Sequence, residues 1–532
     1  MHKLLLLGDE AIAQAGIDAG MNGMYAYPGT PSTEIMEYVQ KSREAATRGI
    51  HREWSANEKT AMESALGMSY AGKRAMVAMK HVGLNVAADG FINAAITGVN
   101  GGLIVVAADD PSMHSSQNEQ DSRFYARFSF VPVLEPASQQ EAYDMVFAGF
   151  EISEKYRVPV MLRITTRLAH SRSGVGRKPV REENKLSLPS DPRQFVLLPA
   201  IARRRYHALL GTYEALKKEK LLAGHNVYSK GNERGTGIIT FGLAYNYLME
   251  NFDDRKVPYP LLKITSYPFD NSLIETIAGD CDSLLVLEEG YPVMEELIKG
   301  ILPGQKPVHG RLDGTVPREG ELNPNIVAMA LGMPSTRGME APGVVRMRPP
   351  SFCKGCGHAD MYLALNEALA GHSPGRVFSD IGCYTLAALP PYSAINSCVD
   401  MGASITMAIG AADAGLFPAV AVIGDSTFTH SGMTGLLDAV LKNSPVTVII
   451  SDNSTTGMTG GQKSHATDRL ESICSGIGVQ PEHMRVIIPL RKNHDENVAV
   501  IRKELEYHGV SVIIARRECI QTAARRKKES IR

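Results

Sequence analysis

Gly424-Asp425-Ser426 and Asp452-Asn453 each follow a short apolar run, Ala419 to Ile423 and Val446 to Ile450. The residues between the runs predict an amphipathic helix with Leu436, Leu437, Val440 and Leu441 on its apolar side. Strand, helix and returning strand form a right-handed crossover. Both turns then fall at the carboxyl ends of neighbouring parallel strands, where open α/β sheets bind ligands. Asp425 offers a carboxylate, Asn453 an amide oxygen, and the chain near Thr455 its backbone carbonyls. Hard oxygen ligands of this kind suit a magnesium ion that also holds a diphosphate.

Other residues of reactive type stand apart from this pair. Glu58 falls in the first turn of a predicted helix in which Ala61, Ser64, Ala65 and Met68 follow i, i+3, i+4, i+7 spacing. The helix dipole favours a carboxylate there, and Glu53 is a second acid nearby. Tyr27-Pro28-Gly29-Thr30-Pro31-Ser32-Thr33 is a Pro/Gly turn in which Thr33 is expected to cap the next helix, leaving the Thr30 hydroxyl for a ligand. His81 follows a buried-looking strand, and Arg123 and Arg127 lie in a long polar loop. An arginine fork suits a bidentate carboxylate. Cys353 and Cys356 form a C-x-x-C pair opening the last domain, with Gly357 and His358 behind it. Cys383 and Cys519 follow in loops beside strands, and Cys398 competes as a thiol. Four thiolates on loops at one end of a sheet can hold a 4Fe-4S cluster, although zinc and redox dithiols use the same pair spacing.

The elements that position these residues read as an α/β protein. Residues 1–180 alternate β-rich runs (Met24 to Tyr27, Ala75 to Met79, Leu103 to Ala107) with helical stretches. Residues 181–235 are charge-dense and read as a helical linker. Residues 236–335 read as a smaller α/β domain, with strands at Gly237 to Gly242 and near residue 287. Pro342, Pro349 and Pro350 punctuate the chain ahead of a last domain over residues 346–525. With 56 Lys+Arg against 57 Asp+Glu, nothing calls for nucleic acid or an anionic membrane. The basic stretch Arg525 to Lys528 reads as a solvated end. No segment has the length of a membrane span, and seven cysteines in so large a chain are not a disulfide framework. A cytoplasmic protein is expected.

The Asp425…Asn453 arrangement resembles the GDG…NN signature of thiamine diphosphate enzymes, with Ser426 in place of the last Gly and Asp452 in place of the first Asn. YPGTPS, the C-x-x-C-G-H turn, DIGC and EWSANEK are similar to segments of the thiamine diphosphate-dependent 2-oxoacid:ferredoxin oxidoreductases, in particular the large subunit of members acting on aryl-pyruvates. The likeness runs from residue 1 to about 520. It implies two doubly wound parallel-sheet domains, one for the pyrimidine (1–180) and one for the diphosphate (346–525), around a transketolase C-terminal-like domain.

By the same resemblance, Glu58 is the acid that activates the cofactor. Thr30 meets the substrate's oxo acid end, Arg127 (or else Arg123) its carboxylate, and His81 lines the site. Gly424, Asp425, Ser426, Asn453, Met401, Gly402, Gly357 and His358 contact the cofactor, with Asp425, Asn453 and Thr455 on magnesium. Cys353, Cys356, Cys383 and Cys519 hold one 4Fe-4S cluster, with Cys398 the alternative fourth ligand. The implied reaction is oxidative decarboxylation of an aryl-pyruvate (indolepyruvate, phenylpyruvate or a relative) to the aryl-acetyl-coenzyme A. A small β subunit and a ferredoxin, or a ferredoxin-like subunit, are the implied partners. Two features depart from the pattern: the family's ferredoxin-like tail motifs are not found up to Arg532, and Glu518 replaces a proline beside Cys519. A non-oxidative decarboxylase or ligase of the same cofactor, or a catalytically silent subunit, is the competing expectation.

Overall fold

The computed structural model describes residues 3–529 except 192, 303, 305, 336, 337 and 347–349, so Pro349 lies outside the described residues. The chain divides into two compact units, Met1–Met339 and Glu340–Arg532.

The first unit holds two main sheets. Its seven-stranded sheet runs in the order Ser266–Tyr267, Val133–Leu134, Val160–Thr165, Leu103–Asp109, Ala75–Lys80, Gly23–Ala26, His51–Trp54. All neighbours are parallel except the first pair. The central strands are buried along their whole length, as expected of a parallel sheet covered by helices on both faces. The second sheet has five strands, with Thr236–Phe241 between Ser283–Leu287 and Leu261–Ile264. Val227–Ser229 pairs antiparallel with Leu261–Lys263, so this sheet takes up the end of the stretch read as linker. The helix expected there spans Pro199–Leu216 and is mostly exposed, with Leu209 and Leu216 buried.

The second unit is built on a six-stranded, wholly parallel sheet: Ser397–Cys398, Val377–Ser379, Ala419–Gly424, Val446–Asp452, Ser511–Arg516, Met484–Ile487. Alternate residues serve opposite faces. Val420, Val422, Ile449 and Ile513 join one core, while Ala421, Ile423, Val448, Ile450, Val512 and Ile514 join the other. Between the two central strands the chain is helical from Asp425 to Lys442, with a π-helical turn at Phe428–Gly432. Its buried face corrects the sequence expectation. Leu436 is buried with Gly435 and Ala439, but Leu437 and Leu441 are 43% and 75% exposed. The reason is Gly435, whose missing side chain lets Ile405 and Thr406 pack against the helix on that side.

Both parallel sheets reverse their strand order after the first strand. In the first unit Gly23–Ala26 sits between His51–Trp54 and Ala75–Lys80, and in the second Val377–Ser379 sits between Ser397–Cys398 and Ala419–Gly424. Each reversal opens a crevice at the carboxyl ends of the strands, the place where doubly wound sheets take ligands.

Candidate cofactor and cysteine sites

The crevice of the first unit is flanked by the Tyr27–Ser32 turn on one side and by Lys80 and His81 on the other. Thr30 lies half-buried in this turn. Thr33 does not cap the following helix, whose N-cap is Ser32 without a side-chain bond. Its Oγ1 instead accepts from Gly29 N at 3.0 Å, and Ser32 Oγ donates to Gly29 O at 2.8 Å. These bonds brace the turn from behind. Gly29 packs on Lys80, since a Cβ on Gly29 would stand 3.3 Å from Lys80 Cβ. Lys80 is buried and donates to Ser115 O at 2.6 Å. Burial lowers its pKa to about 8, against the opposing pull of Asp110. Sequence reasoning passed over this lysine because the strand pattern around it reads as plain core.

Glu58 is buried in the first turn of the helix Glu58–Tyr70, behind an Asn57 N-cap that accepts from Thr60 N. Its carboxyl rests against Gly83, where any side chain would clash: a Cβ would lie 2.5 Å from Glu58 Oε1. The helix buries Ala61, Met62, Ala65 and Ser69, whereas Ser64, expected on the inner face, is exposed. His81, at the start of the helix His81–Thr97, is buried with Nε2 3.2 Å from Asn118 Oδ1.

The two candidate arginines part company. Arg127 occupies the last turn of the helix Arg123–Ser129 and is exposed. Arg123 is fully buried, ion-paired to Asp121 at 2.6 Å and Glu288 at 2.7 Å, and donates to the carbonyls of Glu289 and Tyr291 at 2.9 Å. Arg123 is therefore corrected from a substrate ligand to a core ion-pair residue, because its charge is already matched inside the protein.

In the second unit, Gly424 pairs with Ser451, so Asp425 and Asp452-Asn453 follow at adjacent strand ends. The turns are tied directly, Ser426 Oγ lying 2.9 Å from Thr456 Oγ1. Asp425 is 2% exposed, and its Oδ2 has no hydrogen-bond partner among the described residues. Burial pushes its pKa up to about 7, against a hydrogen bond from Ser464. An unpartnered buried carboxylate oxygen is costly, and a cation is its natural complement. Asn453 Oδ1 accepts from Thr455 N at 3.1 Å, and Thr455 Oγ1 donates to Gln462 O at 2.9 Å.

Across the crevice lies Asp380, which the sequence reading left without a role. It is buried, accepts from Ser404 Oγ at 2.6 Å and from Tyr384, and is raised to about 7 by burial. The Tyr384 ring covers Gly424, where a Cβ would meet it at 2.5 Å. Met401 is half-buried, and Gly402 takes φ +93° at the start of the helix Ala403–Asp413, where a Cβ would strike Ser431.

Cys353, Cys356, Cys383 and Cys519 line one pocket, together with Gly357, His358, Asn453 and Gly457. Burial, then the neighbouring Cys356, Cys519 and Cys353, push the Cys383 thiol up to about 11, so the four sulfurs feel one another. Cys519 is fixed by its own N–H, which donates to Asn453 O at 3.1 Å. Gly457 leaves room for Cys383, whose Sγ would stand 3.3 Å from a Cβ there. Cys398 is not in the pocket and points to Asp380 O and Thr385. His358 is buried with Nδ1 3.5 Å from Cys356 Sγ and with no hydrogen-bond partner for Nε2 among the described residues, and burial lowers its pKa to about 4. The basic end is not merely solvated. It forms the helix Ile520–Glu529, and Arg525 lines the thiol pocket and donates to Gly460 O at 2.5 Å.

Two family models match the chain. Residues 14–206 match the family model for pyruvate flavodoxin/ferredoxin oxidoreductase, thiamine diphosphate-binding. Residues 380–515 match that of the thiamine pyrophosphate enzyme C-terminal TPP-binding domain. Fold and matches define the class, the thiamine diphosphate-dependent 2-oxoacid oxidoreductases. Indolepyruvate oxidoreductase subunit IorA of Archaeoglobus fulgidus is 38% identical, over 100% of this chain and 89% of that protein. The IorA subunits of Methanothermobacter marburgensis and Pyrococcus abyssi are 39% and 37% identical, each over 97% of this chain and 87% and 86% of theirs. The chain belongs to this indolepyruvate oxidoreductase IorA family. Among the described residues no helix is long and apolar enough to cross a membrane.

Proposed function

We propose that this chain oxidatively decarboxylates an aryl-pyruvate, of the indolepyruvate or phenylpyruvate type, to the aryl-acetyl-coenzyme A. Carbon dioxide leaves and coenzyme A takes the acyl group. Two electrons pass through a 4Fe-4S cluster to ferredoxin or a ferredoxin-like subunit. The observation that carries this reading is the convergence of Cys353, Cys356, Cys383 and Cys519 on one pocket that Asn453 also lines. Four thiolates suit a cubane with an iron at each corner. A single zinc ion would need them closer, and no three of them bring their sulfurs within 4.8 Å of one another.

Bound thiamine diphosphate supplies the electron sink for losing the carboxylate. The unpartnered Asp425 Oδ2 fits a magnesium ion on its diphosphate, and Asp425, Asn453 and the Thr455 carbonyl are the proposed ligands. Gly424, Ser426, Gly357, His358, Met401 and Gly402 form the proposed walls of the cofactor site. Glu58, held against Gly83, is the proposed acid that keeps a proton at the aminopyrimidine ring. Thr30 donates its hydroxyl to the substrate's oxo acid end, Arg127 takes its carboxylate, and His81 lines that end. A small β subunit is the proposed partner, and a reducing cytoplasm suits thiolate ligands.

The test is iron and acid-labile sulfide per chain on anaerobically purified protein, with the visible spectrum before and after dithionite. About four irons per chain and bleaching on reduction support the reading. Iron-free protein that still releases carbon dioxide from an aryl-pyruvate would place it with the non-oxidative decarboxylases.

A further inference from the structure

We infer that Asp9, Glu34 and His170 form a divalent-cation site in the first unit, separate from the residues assigned above to magnesium and to the cluster. One ligand atom from each lies within 4.8 Å of the other two, and no other group of three or more His, Cys, Asp or Glu side chains among the described residues meets that condition. Three helix ends supply them. Asp9 and Glu34 lie in the first turns of Gly8–Asp18 and Thr33–Lys41, and His170 is the last residue of Thr166–His170.

Asp9 is the second, independent sign of a ligand. It is fully buried, neither of its oxygens meets hydrogen-bond geometry with a donor among the described residues, and the group it lies against is another carboxyl, Glu34, which can bond to it only by sharing a proton. Its carboxyl faces that of Glu34, whose Oε2 is ion-paired with His170 Nε2 at a long 3.5 Å. Burial, then the charges of Glu34 and Glu10, raise Asp9 well above the usual carboxylate range. Glu10 is engaged elsewhere, accepting from Leu7 N at 2.8 Å and pairing with Arg172 at 3.3 Å. Two helix N-termini bring roughly half a positive charge each, which helps ionise the carboxylates but gives them no directed partner.

One imidazole and two carboxylates are a mixed nitrogen–oxygen donor set that suits Mn2+, Fe2+ or Zn2+. His170 is exposed, so an ion has an entry path and room for water on that side. The consequence reaches the substrate turn. Glu34 follows Thr33, which braces Gly29, so a cation here clamps the helix behind the Tyr27–Ser32 turn to the helix that begins at Gly8.

The competing occupant is a proton shared between Asp9 and Glu34, and metal counting separates the two. Full-length protein carrying thiamine diphosphate and its cluster is equilibrated with Mn2+, and bound manganese is counted by elemental analysis and electron paramagnetic resonance. The expected result is about one Mn2+ per chain beyond any held with the diphosphate, with histidine nitrogen coupling in the pulsed spectrum. Asp9→Asn and Glu34→Gln each lose that ion, His170→Gln weakens it by at least ~10-fold and removes the nitrogen coupling, and Asp425→Asn retains it. Wild-type protein that takes up no such ion, or an ion whose count and spectrum survive Asp9→Asn and Glu34→Gln, overturns the inference. Should Asp9→Asn fail to fold, the wild-type spectrum and Glu34→Gln decide.

Discussion

Arg163 and the four thiols occupy buried polar clusters built in opposite ways. Arg163, fully buried, pairs with Asp109 at 2.6 Å and with Glu135, and donates to Glu289 O at 3.1 Å. Asp109 also accepts from Ser122, and Glu135 from Tyr267 at 2.6 Å. Arg123 with Asp121 and Glu288 completes this network in the first unit. Nearly every charge there meets an opposite charge. In the second unit, Asp425 Oδ2 and His358 Nε2 have no hydrogen-bond partner among the described residues, and four thiols share one pocket that Arg517 and Arg525 also line. A closed network holds elements together, whereas an open one is complete only with something bound.

The comparison can be broken most sharply at the thiols. Cys353→Ser and Cys383→Ser are expected to strip the iron and abolish ferredoxin reduction, while Cys398→Ser, outside the pocket, keeps both. Iron content and dithionite bleaching of the three variants check this. Next in size, Arg163→Met leaves Asp109 and Glu135 without their cation and should cost about 3–5 kcal/mol, read as a lower urea midpoint, with iron content unchanged. Asp425→Asn reverses that pattern. Folding persists, but magnesium-dependent binding of thiamine diphosphate weakens by ~10–100-fold, measured by calorimetry.

A smaller effect concerns pH. Asp380 titrates near 7 in the folded chain against an ordinary value of 3.8. The folded state therefore keeps a proton that the unfolded state releases across that interval. Its contribution is full below pH 4 and is lost as pH rises through 7. In cofactor-free protein, Asp380→Asn should flatten this loss, about 1.4 kcal/mol for each pH unit, in denaturation curves taken between pH 4 and 7. Smallest is Arg127→Ala, expected to raise the aryl-pyruvate KM on the order of 10-fold without changing the melting temperature. Arg123→Ala should lower the melting temperature instead. Equal behaviour of the two arginines would remove the distinction drawn between them.

Much of the fold was legible because it is written locally. Apolar runs ending in Gly-Asp or Asp-Asn, and a C-x-x-C pair opening a helix, depend on neighbours in sequence. The strands Ala75–Lys80, Leu103–Asp109 and Ala419–Gly424 lie within a residue or two of their expected spans. Burial was less legible. Leu437 and Leu441 match the apolar periodicity as well as Leu436, but which of them is covered depends on where Gly435 admits a neighbouring helix. Thr33 looked like a helix cap until the turn's own hydrogen bonds showed it bracing Gly29.

The sequence by itself determined the class of fold, the cofactor family and the residue types available for chemistry, because motif spacing constrains the backbone over a few residues. Only the tertiary structure decided which of two arginines four positions apart is a core ion pair and which is exposed. It alone separated Cys519 from Cys398 as the fourth thiol of the pocket, and it alone brought Asp9, Glu34 and His170 to one point. Those outcomes depend on strand order and on what packs opposite each side chain, and both are set by contacts between residues far apart in the chain.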